Sequence, residues 1–190
     1  MKYAVIMAGG TGKRLWPLSR QKRPKQVLKL LDGKTLLERC FARLEPIFDL
    51  RNILVLTNAD YVEVVREELP ELPPGNVIAE PAVRDTAGAI GLAATILAKT
   101  DPKASMAVVT ADQLIEPAEV LQNALRDAFE FVDVHPNALI TFGIKPTFPS
   151  TQLGYLKCGE VRPCPSCQNK VYAVEAFKEK PDVARAEEYL

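Results

Sequence analysis

Apolar positions along the chain alternate between short continuous runs and longer stretches with helical spacing. Each short run, bounded by turn residues, predicts a buried strand; these runs are 2–7, 52–57, 77–79, 105–110 and 138–143. Between them, apolar residues recur every three or four positions, which predicts helices; these stretches are 35–48, 60–69, 86–99 and 117–132. Strand–helix alternation with short connections indicates an α/β fold, with a mostly parallel sheet that carries helices on both faces in three α/β/α layers.

Local signals refine three of the predicted helices. Thr35 followed by Glu38 is a capping box, which predicts that the first helix starts at this point. Pro117 suits the first turn of the last of the four helices. The helix over 86–99 is apolar on nearly every side, so we expect it to be buried between layers.

The pattern changes after residue 143. Residues 152–161 and 170–177 predict two strands joined by a loop, and Asp182 precedes a short final helix. There is no internal repeat and no low-complexity tract, so we expect one domain over residues 1–190.

Charge is distributed unevenly along the chain. The formal net charge is zero, yet residues 1–31 hold eight Lys or Arg and no Asp or Glu. One cationic end on a neutral protein suits a polyanion held against one loop. Beyond Trp16, the tract lacks the interleaved stacking aromatic residues that favour nucleic-acid binding.

Composition narrows the class of protein. Apolar residues make up 47% of the chain and charged residues 25%, which is typical of a soluble globular protein. No apolar run approaches the ~20 residues of a membrane span, and the apolar start is too short for a secretory signal. We therefore expect a cytoplasmic protein that does not enter a membrane, with its four cysteines as free thiols.

A glycine-rich loop follows the first strand and leads into the basic segment. Glycines allow positive φ and close backbone approach, so consecutive N–H groups can converge on phosphate oxygens. Neither the P-loop pattern nor the dinucleotide fingerprint fits this spacing, and a plain tight turn is the alternative interpretation. The residues expected to surround phosphate are Ala8, Gly9, Gly10, Gly12, Lys13, Arg14 and Lys25.

The stretch from Ala8 to Ser19, Ala-Gly-Gly-Thr-Gly-Lys-Arg-Leu-Trp-Pro-Leu-Ser, followed by Arg-Pro-Lys-Gln at 23–26, resembles the signature of the sugar-nucleotide pyrophosphorylases. Within that family it is most similar to the branch that uses GTP and mannose 1-phosphate. The resemblance implies the Rossmann-like fold of nucleotide-diphospho-sugar transferases, with a nucleotide-binding core over 1–143 and the start of a sugar-binding part over 144–190. It ends inside the last helix, so we expect a C-terminally truncated form of the family's domain. A homodimer is compatible with it.

The resemblance also implies roles for two cationic side chains. Arg14 and Lys25 would hold the triphosphate as catalytic groups, and Pro24 gives Lys25 a fixed starting point because it restricts the backbone. A solvated surface charge is the alternative for Lys25.

Acidic residues near strand ends supply the next candidates. Glu80 could accept hydrogen bonds from both guanine donors, N1–H and the 2-amino group, and an exposed acid before a turn is the alternative interpretation. Asp112 ends the fourth predicted strand and is a natural Mg²⁺ ligand beside phosphates, although a helix cap is an alternative. Asp85 and Gly88 depart from the family's Arg-Asn-Thr-Ala-Pro-Ala, and either Asp85 or Thr86 could cap a helix rather than contact the nucleotide.

The C-terminal segment resembles the family's sugar-side elements. Gly154, Tyr155 and Glu179 would bind the sugar, and Lys180 would act as a catalytic group on the sugar phosphate. A charged edge strand would have a similar sequence.

The cysteines at 158, 164 and 167 include a CxxC pair, which can bind a metal or form a redox pair. A closed zinc site needs four ligands, so we favour a loop with free or occasionally paired thiols.

The implied reaction is nucleotidyl transfer from GTP to α-D-mannose 1-phosphate with Mg²⁺. The attacking phosphate oxygen is already an anion, so no general base is required. Alternatives are another sugar-1-phosphate nucleotidyltransferase, or a non-catalytic module that binds sugar nucleotide and regulates a partner.

Overall fold

The computed structural model of the chain describes residues 1–10, 12, 16–20, 24–82 and 84–190. The predicted phosphate ligands Lys13 and Arg14 lie outside the described residues. The chain divides into two compact units, Met1–Leu125 and Arg126–Leu190, and each is described by itself. The functional boundary at 143/144 stays a prediction.

A four-stranded parallel sheet forms the centre of the first unit. Its strands, in spatial order, are β5 (Val77–Glu80), β4 (Ile53–Asn58), β1 (Lys2–Met7) and β6 (Ser105–Thr110). The first four predicted strands are therefore confirmed. The chain moves from β1 outward to β4 and β5, and then returns to β6 on the other side of β1. The strand order thus switches between β1 and β6, which is where parallel sheets bind ligands. A small antiparallel pair, β2 (Lys29–Leu31) and β3 (Lys34–Thr35), precedes the first helix.

The connections between strands carry the helices. They are α1 (Leu36–Leu44), α2 (Val62–Glu68), α3 (Asp85–Thr100) and α4 (Ala118–Val134), which continues into the second unit. The capping box predicted for α1 is confirmed: Glu38 N donates to Thr35 Oγ1 at 3.1 Å, and Thr35 N donates to Glu38 Oε2 at 2.5 Å. Two orphan N–H groups of the first turn are satisfied in this way.

Helix α3 packs on one face of the sheet through a single stripe. Ala89, Ala93 and Leu97 are buried at intervals of four residues against Tyr3, Val5, Leu54 and Leu56. The prediction that this helix is buried between layers is wrong. Its exposed positions carry only small or polar residues, whose exposure costs little.

The opposite face of the sheet is buried as well. Ala4 and Ile6 alternate with the side chains that face α3 and are fully buried. The connections β1–β4 and β4–β5, which contain α1 and α2, run across the sheet in one direction, and the connection β5–β6, which contains α3, runs in the other. Because such connections are right-handed, α1 and α2 lie on the face opposite α3. The three-layer α/β/α prediction is confirmed.

The second unit is built around an antiparallel hairpin. Strands β7 (Gly154–Arg162) and β8 (Val171–Glu179) pair along their lengths, and α5 (Val183–Glu188) follows. Asp182 Oδ1 accepts a hydrogen bond from Arg185 N at 2.9 Å and caps α5. Both strands and the final helix were predicted correctly from the sequence.

The predicted fifth strand over 138–143 is wrong. Within the described chain these residues pair with no strand, and Leu139 is fully exposed. An apolar run forms a strand only where a neighbour satisfies its backbone N–H and C=O groups.

Cys164 and Cys167 form a disulfide in the loop between β7 and β8, while Cys40 and Cys158 are free. The expectation of four free thiols is therefore wrong for this pair. Asp127 anchors the segment that follows, because its carboxylate accepts hydrogen bonds from Gln168 N at 3.0 Å and Asn169 N at 2.7 Å.

None of the described helices is both long and apolar enough to cross a bilayer.

Candidate active site

A cleft of about 290 Å³ lies where β1, β5 and β6 of the first unit end. The residues that follow β1 form one wall, and those that follow β6 form another. The start of α3 closes the cleft on a further side. This position is the switch in strand order, so the fold and the cleft identify the same candidate site.

The glycine-rich loop is fixed at its first residue. Ala8 N donates to Leu56 O at 2.7 Å, which ties the end of β1 to β4. The carbonyl of Ala8 accepts from Thr57 Oγ1 at 3.0 Å and from Gln26 Nε2. All three residues that meet at this carbonyl are buried. The loop therefore leaves the sheet in one defined direction.

The glycines of this loop make room for Lys25. A Cβ atom on Gly12 would lie 2.7 Å from Lys25 Cβ, and one on Gly10 would lie 3.4 Å from Lys25 Cε. Gly12 also has a φ of +67°, which favours glycine. Ser19 Oγ donates to Gly12 O at 2.6 Å and holds this conformation. The lack of side chains at Gly10 and Gly12 is thus explained by a protein neighbour, Lys25.

Lys25 and Asp112 form an ion pair across the cleft. Lys25 begins a short 3-10 helix whose N-cap is Pro24, and Asp112 comes just after β6. Partial burial alone would raise the pKa of Asp112, but the hydrogen bond and charge of Lys25 outweigh it and hold that pKa below its usual value.

Glu80 is the last residue of β5 and lines the same cleft. Its carboxylate lies directly against Gly9, in the space that a Cβ atom would occupy. Burial raises the pKa of Glu80 above its usual value. The cleft thus has an acidic side at Glu80 and a cationic group at Lys25.

Asp85 and Thr86 begin α3 and line the cleft. The alternative that either residue caps this helix is wrong, because the N-cap is Arg84 and no side chain satisfies the cap. Asp85 has a φ of +53°, a conformation in which Asn and Asp are enriched.

Glycine at residue 88 leaves space for the side chain of Arg84. A Cβ atom on Gly88 would lie 2.6 Å from Arg84 Cβ, and Gly88 N donates to Arg84 O at 3.3 Å. A proline at this position would lose that hydrogen bond and meet Arg84.

In the second unit, the four predicted sugar-side residues meet at one end of the hairpin. Gly154 pairs with Glu179, and Lys180 N donates to Leu153 O at 3.2 Å. Lys180 Nζ lies 3.2 Å from Glu179 Oε1. The hydroxyl of Tyr155 donates to Ser150 O at 3.0 Å, and its ring lies 5.3 Å from the ring of Tyr189.

The donor chemistry at Asp112 suits a divalent metal ion. Mg²⁺ is commonly bound by one or two carboxylates plus substrate phosphates, so a single carboxylate beside a phosphate site is sufficient. Among the described residues there is no group of three or more His, Cys, Asp or Glu placed to hold a metal ion. A metal ion held at Asp112 would need further ligands from outside the described residues.

Sequence reasoning missed two residues that build the site. From the sequence, Gln26 is only part of a motif and Thr57 only the last residue of a predicted strand. Both hold the carbonyl of Ala8. The sequence signal for Gln26 was its position next to Lys25, where an uncharged polar side chain interrupts a basic segment and could hydrogen-bond to the loop.

The chain belongs to the nucleotidyl transferase family, whose model matches residues 3–190. Members of that family generally act with a divalent metal ion.

Named relatives narrow the comparison within the family. The chain is 38% identical to the mannose-1-phosphate guanylyltransferase of Klebsiella pneumoniae, over 100% of this chain and 40% of that protein. It is 39% identical to mannose-1-phosphate guanylyltransferase ManC of Salmonella typhimurium, over 99% of this chain and 39% of that protein. The chain thus spans about two fifths of the length of these relatives.

A solved structure agrees with the fold. The protein named mannose-1-phosphate geranyltransferase from Thermus thermophilus superposes with a TM-score of 0.83 at 37% identity, covering 99% of this chain and 52% of that one.

Proposed function

We propose that this chain carries the nucleotide-binding site of an enzyme that transfers a guanylyl group from GTP to mannose 1-phosphate, giving GDP-mannose and pyrophosphate. The observation that carries the proposal is the convergence of Lys25, Glu80 and Asp112 around one cleft at the end of the parallel sheet. The similarity to mannose-1-phosphate guanylyltransferases supports the choice of substrates.

The nucleotide is oriented by opposite charges in the cleft. Glu80 accepts two hydrogen bonds from guanine, since a carboxylate matches the adjacent N1–H and 2-amino donors. Gly9, Gly10 and Gly12 present backbone N–H groups to the phosphates. Thr86, at the start of α3, adds a hydroxyl near the nucleotide.

Charge neutralisation is the main catalytic task of the protein. An oxygen of the sugar phosphate attacks the α-phosphorus of GTP, the bond from that phosphorus to the bridging oxygen breaks, and pyrophosphate leaves. Lys25 stabilises the charge that accumulates on the triphosphate and the leaving group. Arg14 is assigned to the same task from the resemblance of its motif, and Lys13 adds charge and hydrogen-bond donors for the phosphates. No proton transfer is required, because the attacking oxygen is already ionised.

Asp112 is the residue that would hold Mg²⁺, which supplies positive charge to the phosphate oxygens when bound. Its position just after β6 puts the carboxylate on the same cleft as Lys25. An aspartate is ionised at neutral pH, as a metal ligand must be.

For the sugar substrate we assign residues of the second unit. Glu179 accepts hydroxyl hydrogen bonds, and Lys180 holds the incoming phosphate. Gly154 and Tyr155 complete the set at the same end of the hairpin. This part of the proposal rests on the motif resemblance and on the closeness of these four residues within the hairpin.

The test is pyrophosphate release from GTP and mannose 1-phosphate with Mg²⁺, compared with UTP and dTTP. Lys25→Ala is expected to reduce release by about 10²-fold or more. Lys29→Ala is the matched control, because Lys29 is an exposed lysine of the same basic segment. Release that is GTP-selective and unchanged in the control supports the proposal.

Two other outcomes point elsewhere. Equal release with UTP or dTTP would favour a nucleotidyltransferase of different base specificity. GTP binding by calorimetry without release would favour the non-catalytic binding module.

A further inference from the structure

Lys25 and Asp112 are assigned to different ligands by the proposed function, yet in the structure they bind each other. We propose that Asp112 and the nucleotide triphosphate compete for Lys25, so that nucleotide binding releases Asp112 to take a divalent cation. This inference rests on the proposed function, and it makes nucleotide the condition for metal binding at Asp112.

The ion pair can be exchanged because it is only partly shielded from water. The side chain of Lys25 is 24% exposed and that of Asp112 is 35% exposed. Pairs with access to solvent contribute little net free energy. A triphosphate offers several negative oxygens to one ammonium group, so it can draw Lys25 away from a single carboxylate.

The stem of Lys25 is held while its end remains adjustable. Lys25 Cβ lies against Gly12, and Lys25 Cε lies beside Gly10. The ammonium therefore reaches the glycine-rich loop and Asp112 from one fixed backbone position. A change in the last side-chain torsions moves the charge from the carboxylate toward the loop, with no movement of the sheet.

The exchange has a reciprocal consequence. While Lys25 neutralises Asp112, a metal ion at this carboxylate must displace a cation that the protein itself provides. Once phosphate holds Lys25, Asp112 is free, and the phosphate oxygens add ligands for the same metal ion. Linkage then requires that metal also strengthens nucleotide binding.

The first test measures binding of GTP in excess EDTA by calorimetry. Asp112→Asn is expected to tighten metal-free GTP binding by about fivefold, the range of a partly exposed pair. Asp85→Asn is the matched control, since Asp85 lines the same cleft and carries the same charge. A general gain from lost negative charge would be equal in both variants, and that result would overturn the inference.

A double-mutant cycle isolates the competition. In a Lys25→Met background, Asp112→Asn is expected to give no gain in metal-free GTP affinity, because no ammonium is left to release. A gain that persists in this background would contradict the proposal. Lys25→Gln is the second variant, and thermal melting of each variant checks that it is folded.

The second test follows Mn²⁺ by electron paramagnetic resonance without nucleotide. Lys25→Met is expected to bind Mn²⁺ at least threefold more tightly than the unmodified chain, an effect of about the same order as the ion pair, and the added Asp112→Asn should abolish this. Equal Mn²⁺ binding in the unmodified chain and Lys25→Met would overturn the inference.

The two proposals fail differently. If no pyrophosphate is released but the variants bind as expected, the proposed transferase activity is wrong and the exchange of Lys25 between Asp112 and the triphosphate still holds. If pyrophosphate is released but Asp112→Asn leaves the affinity for metal-free GTP unchanged, the transferase activity holds and the exchange is wrong.

Discussion

The carboxylate of Glu80 lies over Gly9, in the space that a side chain on residue 9 would fill. Glu80 ends β5 and Gly9 follows β1, with β4 between the two strands. The acidic side of the cleft therefore depends on a residue that has no side chain.

Replacing Gly9 by Ala is expected to displace Glu80 and to weaken GTP binding by about tenfold, or about 1.4 kcal/mol. The folded state should lose little free energy, because the contact is with the end of a flexible side chain. Calorimetry of GTP binding and urea unfolding measure the two effects.

Two comparisons check this interpretation of Gly9. Gly75→Ala should change neither measurement, since a Cβ atom there would meet nothing within 4 Å. In a Glu80→Ala background, Gly9→Ala should cost less than it does alone. An equal cost in both backgrounds would show that Gly9 acts through something other than Glu80.

Gly12 and Gly33 form a natural pair of test sites. Both have positive φ, +67° and +72°, so alanine at either position should cost about 1 kcal/mol in backbone strain. Only Gly12 faces a neighbour, with Lys25 Cβ at 2.7 Å and Lys25 N at 3.1 Å. We expect Gly12→Ala to lose at least about 1 kcal/mol more from overpacking, measured by urea unfolding. Equal losses at the two sites would exclude the clash with Lys25.

Acidification is expected to weaken guanine binding through Glu80. Burial raises the pKa of Glu80 above 4.5, and only the ionised carboxylate accepts both guanine donors. Affinity should therefore fall as the pH drops through the raised pKa. Guanosine is the suitable probe, because its base can be followed without titrating phosphates. An affinity for guanosine that is constant between neutral pH and 4.5 would contradict this role.

The same group makes a stability prediction of opposite sense. The folded chain holds a proton on Glu80 at pH values where the unfolded chain has released it. Stability from this group therefore falls as pH rises from 4.5 through the raised pKa. Glu80→Gln should remove that fall, as measured by thermal melting at several pH values.

The two free thiols should differ strongly in reactivity. Burial raises the pKa of Cys40 to about 11, although nearby Arg43 lowers it in part, whereas Cys158 is exposed. Thiolate is the reactive form, so iodoacetamide without reductant should modify Cys158 and leave Cys40 intact. Mass spectrometry of the folded protein measures both sites. Comparable labelling of Cys40 would mean that α1 opens on the time scale of the experiment.

The four strands of the parallel sheet were predictable because each is a short, continuous apolar run. Strands covered on both faces by helices need apolar side chains in both directions, and that requirement is visible in residues such as 2–7. The run at 138–143 is also mostly apolar, yet it forms no strand. Composition reports the preference for burial, but pairing depends on a partner that the local sequence does not specify.

The chemistry of the site was predictable only residue by residue. Lys25, Glu80 and Asp112 were each singled out beside a strand end, and the structure brings them to one cleft. The pairing of Lys25 with Asp112 joins residues 87 positions apart. No local pattern contains that contact, because it depends on β6 lying next to β1 in the sheet. The role of Glu80 against Gly9 depends on strand order in the same way.

Gln26 and Thr57 both donate hydrogen bonds to the backbone carbonyl of Ala8. This anchor of the glycine-rich loop does not depend on which side chain residue 8 carries. An alanine scan passes over residue 8, since it is alanine already, and would record its importance only at positions 26 and 57. The atom on which the glycine-rich loop depends belongs to the main chain. Replacing a peptide bond by an ester would probe it directly, because an ester carbonyl is a weaker acceptor. A substitution at residue 8 is therefore limited only by the space for its side chain. Any residue that fits keeps the backbone carbonyl and its two hydrogen bonds.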